Sequence, residues 1–265
     1  VEYDGSRFCG WQTQPNGCAV QDALERALGE IAGAPVTITC AGRTDAGVHA
    51  LAQVVHYDAA ASRPASAWVR GVNALLPPPC AVIWAREVAE EFHARYCALS
   101  RTYRYVLLND AVRPAAAYGR VGWFHLPLDL DKMRVAAELL VGEHDFSAFR
   151  SAECRARSPV RKIRRLELYR RGSYVVFEIQ ANAFLHHMVR NIVGCLVYVG
   201  KGKHQPGWLA EVLAGRDRTR AAPTFDGAGL YLFDIEYEPR WGLPARSRTA
   251  FAELLGLPLE AEPEK

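Results

Sequence analysis

The 265-residue chain lacks the short motifs that usually mark a bound cofactor. It has no G-x-x-x-x-G-K-[S/T] and no G-x-G-x-x-G, so no loop in it is built in those ways to cradle a nucleotide phosphate. It has no C-x-x-C pair, and its seven cysteines, at 9, 18, 40, 80, 97, 154 and 195, are odd in number. That pattern argues against a zinc site or a secreted disulfide framework and leads to an expectation of buried, reduced thiols in a cytoplasm. The H-x-E and P-C-x-x-C of zinc deaminases are missing as well. No apolar run is long enough to cross a bilayer and no charged-then-apolar leader opens the chain, so it is expected to stay in the compartment where it is made. Because Val1 falls inside a strand-like run, Val1–Asp4, a few residues are expected to precede it.

What remains is an ordinary globular composition, 50% hydrophobic and 23% charged, of a length that suits one large core or two modest domains. The formal charge is only +3, but it is unevenly spread. Nine Lys or Arg residues lie between Arg150 and Arg171, at 150, 155, 157, 161, 162, 164, 165, 170 and 171, against Glu153 and Glu167. The segment from Phe251 to Lys265 is acidic instead, with Glu253, Glu260, Glu262 and Glu264 against one lysine. A basic stripe beside an acidic tail favours a nucleic-acid partner over a membrane.

Strands and helices alternate in two similar passes, without tandem repeats. The first holds a helix at Val20–Ile31, with Val20, Leu24, Leu28 and Ile31 at helical spacing and Gly33 as its stop. Strand-like runs follow at Val36–Cys40 and Leu51–Asp58, then a helix opened by Ser62-Arg-Pro64 and a strand at Cys80–Val88. In the second pass Arg101–Leu108 reads as a strand, with Tyr103, Tyr105 and Leu107 on one face. A helix at Leu130–Val141, a hairpin of Val160–Tyr169 and Tyr174–Ala181 around Gly172-Ser173, and a helix at Leu185–Val199 come next. A short helix after Pro206 and a strand at Gly229–Tyr237 complete it. Locally paired strands with interposed helices predict an α+β fold: two similar α/β subdomains sharing a mostly antiparallel sheet with helices packed on it. The expected division is 1–98, 99–240 and a tail, 241–265.

Few side chains stand out chemically. Asp45 lies in Ala41-Gly-Arg-Thr-Asp-Ala-Gly-Val-His-Ala50, a glycine-bracketed loop between strand-like runs. Such a loop is suited to a reactive carboxylate, or to a surface pair of Arg43 with Asp45 that contributes little. Tyr103 reads as a core aromatic between Arg101 and Arg104. Arg190, on an otherwise apolar helix, reaches either solvent or a buried acid. His186 and His187 are adjacent, so on a helix they would point about 100° apart and could not face one ion. They are expected to be structural or to face RNA, and Glu143-His-Asp145 has no visible distant ligand. No metal is expected.

Five blocks resemble the TruA family of tRNA pseudouridine synthases. They are Glu2-Tyr-Asp-Gly-Ser-Arg-Phe-Cys-Gly-Trp-Gln12, Gly42-Arg-Thr-Asp-Ala-Gly-Val-His49, Phe92-His-Ala-Arg95, Arg101-Thr-Tyr-Arg-Tyr105 and Ala181-Asn-Ala-Phe-Leu-His-His-Met-Val-Arg-Asn191. The resemblance implies the pseudouridine synthase fold, a homodimer, and isomerisation of uridine to pseudouridine at positions 38, 39 and 40 of the tRNA anticodon arm. It implies that Asp45 is the catalytic aspartate and Arg190 the basic residue paired with it. Tyr103 would pack on the target base, Arg43 would help displace the target nucleotide, and Leu230 would supply an apolar wall. No cofactor is implied, since the reaction neither oxidises nor hydrolyses. The rival expectations are a catalytically silent tRNA-binding or folding-aid protein of the same fold and a glycosidase, which usually needs two carboxylates.

Overall fold

The computed structural model describes residues 1–59 and 62–244. The acidic segment 251–265 and most of the expected tail lie outside them. In chain order the elements are β1 (Glu2–Tyr3), α1 (Val20–Ala32), β2 (Thr39–Cys40), β3 (His49–Ala50), β4 (Val55–His56), α2 (Val72–Leu75) and β5 (Cys80–Ala81). Then follow β6 (Ala98–Asn109), β7 (Gly122–Phe124), α3 (Leu130–Glu138), β8 (Gly142–Asp145), β9 (Val160–Arg171), β10 (Tyr174–Ala181), α4 (Met188–Gly200), α5 (Trp208–Gly215) and β11 (Leu230–Tyr237).

Nine strands form one sheet in the order β5-β1-β3-β11-β6-β10-β9-β8, with β7 paired to β6. The pairs are antiparallel except β6 with β7 and β3 with β11. The parallel β3–β11 step, with Tyr231 opposite His49 and Leu232 opposite Ala50, joins the early strands to the late ones. This is the mixed α+β architecture with a mostly antiparallel sheet that the alternation of elements predicts.

Period-two alternation on β6 sends Tyr103, Tyr105 and Leu107 to the face that also takes Phe177 and Ile179 of β10 and the buried sides of α1, α3 and α4. Each large side chain fully buried there contributes about 1.5–3 kcal/mol. The opposite face carries a smaller cluster of Leu51, Val106, Val121, Val176, Tyr231 and Phe233. Beside it, Arg104 pairs with Glu178 directly across the strands, and Arg165 reaches the same carboxylate. The guanidinium carbon of Arg104 lies 3.5 Å from the centroid of Phe233.

Several expected strands are shorter because side chains take over their backbone groups. Val36–Cys40 pairs only at Thr39–Cys40, since Glu25 Oε1 accepts the Ile38 N–H at 3.0 Å. The run from Cys80 stops after Ala81, where Asn73 accepts the Val82 N–H at 2.7 Å and donates to its carbonyl at 2.8 Å. At the start, Asp4 caps a turn through Ser6 instead of extending β1. The expectation that all seven thiols are reduced is corrected at one pair. The Cys9 N–H donates to Cys18 O at 3.1 Å, which draws the two residues to a Cα separation of 5.5 Å, and they form a disulfide. Cys40, Cys80, Cys97, Cys154 and Cys195 are free, and burial pushes the thiols of Cys40, Cys80 and Cys195 up to about 11.

Candidate active site around Asp45

The loop bearing Asp45 enters from β2 and leaves into β3, and its backbone is held from several sides. Trp11 N–H donates to Thr44 O at 2.9 Å, Tyr3 OH contacts Thr44 Oγ1 at 2.8 Å, and Gln53 Nε2 donates to Gly42 O at 2.6 Å. Gly47 turns the chain at a φ of 77°, and Val48 N–H closes the turn onto Asp45 O at 3.1 Å. Gly10 packs so closely behind the loop that a Cβ there would stand 3.0 Å from both Ala46 N and Thr44 O. At the far end His49 Nδ1 lies 3.1 Å from Gly5 N and 3.2 Å from Asp4 Oδ1, and Nε2 lies 3.0 Å from Ala228 O. Burial lowers its pKa, outweighing the opposing charge of Asp4, and so favours the neutral ring.

With its backbone fixed, Asp45 presents a side chain that is 22% exposed. Arg190 Nη1, from the first turn of α4, lies 3.0 Å from Asp45 Oδ2, and Arg190 Nε donates to Phe225 O at 2.8 Å. His186 Nε2 is 3.1 Å from Oδ1 and His187 Nε2 is 3.3 Å from Oδ2. The divergence expected of adjacent histidines does not occur, because they precede the helix: α4 begins at Met188, and His187 takes a left-handed φ of 64°. One ligand atom each from Asp45, His186 and His187 lies within 4.8 Å of the others, the only such grouping of three among the described residues. In this structure those atoms are engaged with one another, with Arg190 on the same carboxylate.

Arg43 is exposed and makes no ion pair with Asp45 among the described residues, so the surface-pair reading of the loop does not describe this geometry. Tyr103 is buried, with its ring edge to face against Phe184 at 5.0 Å, and its hydroxyl lies 3.6 Å from where a Gly42 Cβ would be. Burial, and after it the nearby charge of Asp45, push its pKa well up, so the phenol keeps its proton. Leu230 is buried opposite Tyr105 in the β11–β6 ladder.

Two contributors escape a reading by motif. Arg101, buried two residues before Tyr103, donates to the carbonyls of Ala41, Arg95, Ala98 and Asn182, and so ties the root of the Asp45 loop to the segment that leads to the histidines. Its place two residues before Tyr103 in the Arg101–Tyr105 block was the available signal. Asn191, wholly buried, accepts from Arg218 and Thr224 and donates to Phe149 O, anchoring the start of α4. The basic run borders the same site: Ser151 N–H donates to His186 O at 3.0 Å, and Lys162 exchanges bonds with Asn182. It is not one uniform face. Arg164 turns to Glu236 and Leu99 O, Arg165 to Glu178 and Arg161 to Ser158 O, whereas Arg155, Arg157 and Lys162 are exposed.

A carboxylate from a glycine-bracketed loop, held by an arginine from a distant helix and bordered by exposed cations, agrees with the class that sequence comparison gives. The family model described as tRNA pseudouridine synthase matches residues 1–97 and 136–238, and the chain belongs to that family. It is 60% identical over 247 residues to tRNA pseudouridine synthase A of Thiobacillus denitrificans, covering 93% of this chain and 95% of that protein. It is also 60% identical over 248 residues to the protein of that name from Aromatoleum aromaticum, covering 94% of each. The corresponding figures for Dechloromonas aromatica are 59% over 244 residues, 92% and 93%.

Proposed function

We propose that the protein isomerises uridine to pseudouridine at positions 38, 39 and 40 in the anticodon stem-loop of tRNA, without a cofactor, as a cytoplasmic homodimer. The observation that carries this reading is the Asp45–Arg190 pair, placed within family-matched segments from the two ends of the chain. In this reading the first subdomain, 1–98, brings the aspartate and the second, 99–240, brings Arg190, Tyr103 and the basic run.

The reaction breaks the bond from ribose C1′ to N1 of uracil and forms one from C1′ to C5; a proton leaves C5 and one is gained at N1. One carboxylate beside the sugar serves either route to this outcome, by attack on C1′ or by removal of the C2′ proton. Asp45 has that role. Arg190 fixes its orientation, because its Nε is held by Phe225 O. Tyr103 holds the detached uracil by stacking, worth about 1–3 kcal/mol per base, so that the base turns without escaping. Its retained proton makes it a support for the base more readily than a base itself.

The target nucleotide must leave its stack for Asp45 to reach the sugar, at a cost of a few kcal/mol. Exposed Arg43 is free to enter the vacated space. Arg155, Arg157 and Lys162 hold phosphates of the arm, giving an affinity that falls with salt.

The test is incubation with unmodified tRNA carrying uridine at 38–40, with no cofactor added, scored by carbodiimide mapping. Pseudouridine at those positions supports the reading. Tight binding with every uridine unchanged would establish a silent tRNA-binding protein, and release of free uracil would establish a glycosidase.

A further inference from the structure

Asp45 has more partners than the proposed chemistry uses. Besides Arg190, it faces His186 Nε2 at 3.1 Å and His187 Nε2 at 3.3 Å, one on each oxygen. The convergence has a structural origin. Two consecutive helical side chains diverge by about 100°. Here His187 instead adopts φ 64° and ψ 2°, one of two non-glycine residues with positive φ among those described, and the rings come to 4.0 Å apart. A left-handed backbone at a residue with a side chain is sparsely populated and persists where its surroundings over-determine it.

Those surroundings are present. His187 O accepts the Asn191 N–H at 2.9 Å, His186 O accepts the Ser151 N–H at 3.0 Å, and Met188 N–H closes onto Leu185 O at 3.0 Å. The wholly buried Asn191 side chain fixes the same turn to Phe149, Arg218 and Thr224. The strained turn thus places two imidazoles on the carboxylate, and nothing in the stacking of the uracil or the binding of phosphate requires them there.

Resting on the reading of Asp45 as the reactive group, we propose that His186 and His187 are positioning residues: they donate from Nε2 to the two oxygens of Asp45 and orient it toward the ribose, and protonation of His187 silences it. Neutral donors hold a carboxylate without removing its basicity. An imidazolium at His187 beside Arg190 would set two positive charges against Asp45 Oδ2 and stabilise the resting anion relative to the transition state. The charged or titratable groups that face His187 are Asp45 from its loop, the neighbouring His186, Arg190 from α4 and Glu153 from the segment after Phe149. Tyr103 faces Asp45 from β6. For His187 desolvation dominates; Asp45 and Glu153 oppose it, while His186 and Arg190 reinforce it, and the net result is a pKa below the usual 6.5. The neutral form of His187 is therefore its working form at pH 7, and the loss of activity is expected on the acid side.

The experiment is single-turnover and steady-state kinetics on an anticodon-arm tRNA transcript between pH 5 and 8, for the wild-type protein, His187→Gly and the double variant His186→Gln with His187→Gln. Glycine suits the left-handed backbone, so a purely structural role predicts an unchanged or raised Tm and an unchanged kcat. Positioning predicts an unchanged Tm and KM with kcat down about 10- to 100-fold, the scale of a misplaced reacting group. The glutamine pair keeps N–H donors that do not titrate, so it should recover part of kcat and flatten the acid limb. A wild-type kcat in His187→Gly would overturn the proposal. So would an acid limb of undiminished depth in the glutamine pair, which would assign that limb to another group and would also decide the matter if the glycine variant failed to fold. If the wild-type protein itself formed no pseudouridine, the functional reading would fail and this inference with it. That result differs from an active wild type with indifferent histidine variants.

Discussion

Arg190 Nη1 meets Asp45 Oδ2 at 3.0 Å across 145 residues of sequence, while Arg190 Nε holds Phe225 O at 2.8 Å. The guanidinium is thus a two-point brace between a loop of the early strands and the segment leading into β11. Arg190→Lys keeps the charge and loses the fork, since an ammonium cannot serve both partners in the fixed geometry of a guanidinium. The expected result is a kcat about 100-fold lower with tRNA affinity within about twofold, measured by single turnover and filter binding. Wild-type turnover in that variant would reduce Arg190 to a structural role.

Asp45→Asn preserves shape and removes the charge. It should bind tRNA as well as the parent and form no pseudouridine, with carbodiimide mapping as the readout; measurable conversion would exclude both the nucleophilic and the proton-abstracting role.

For Tyr103 the two available variants separate stacking from the hydroxyl. Tyr103→Phe keeps the ring against Phe184 and should retain most activity, whereas Tyr103→Ala should lose about 1–3 kcal/mol of base stacking and release some free uracil. Loss of turnover in the phenylalanine variant would instead place a proton-transfer step at the hydroxyl.

The exposed cations of the basic run are separable from those committed to internal pairs. Changing Arg155, Arg157 and Lys162 to alanine should weaken tRNA binding and lower the salt slope by about one for each phosphate no longer neutralised. Changing Arg165, which is committed to Glu178, should affect stability more than affinity. A salt slope unmoved by the triple change would show that this edge faces away from the RNA.

His49 makes stability depend on pH. Its pKa is lowered in the fold by burial, so below about 6.5 the unfolded chain takes up a proton that the folded chain refuses. The contribution is complete above that pH and is lost as pH falls through the folded value. Tm should fall between pH 7.5 and 5, and His49→Gln, which cannot titrate, should show a shallower fall over that window. An equal slope would assign the dependence to other titrating groups.

The residues of β6, the β9–β10 hairpin and the apolar stripe of α4 were legible from periodicity alone, because each buries a regular face against a neighbour close in sequence or in the ladder. The Asp45 loop was legible from its bracketing glycines and flanking strand-like runs. Which groups surround Asp45 was a different matter. Local pattern could name Arg190 and the histidines but could not bring them together; the pairing of Arg190 with Asp45 came only with the family resemblance, and helical geometry argued wrongly that His186 and His187 diverge.

That error has a physical cause: the left-handed turn at His187 is imposed by Asn191, Ser151 and the segments they touch, none of which leaves a local trace in the sequence. The same holds for the short strands around β2 and β5, where Glu25 and Asn73 satisfy backbone groups from outside the ladder. Periodicity and chemical type, read along the chain, suffice for the type and order of the longer elements and single out Asp45 as a candidate carboxylate. They do not reach the grouping of one carboxylate from the β2–β3 loop with an arginine and two imidazoles from the other end of the chain. That grouping arises in the folded protein, because it requires the β3–β11 pairing and the turn before α4 to form together.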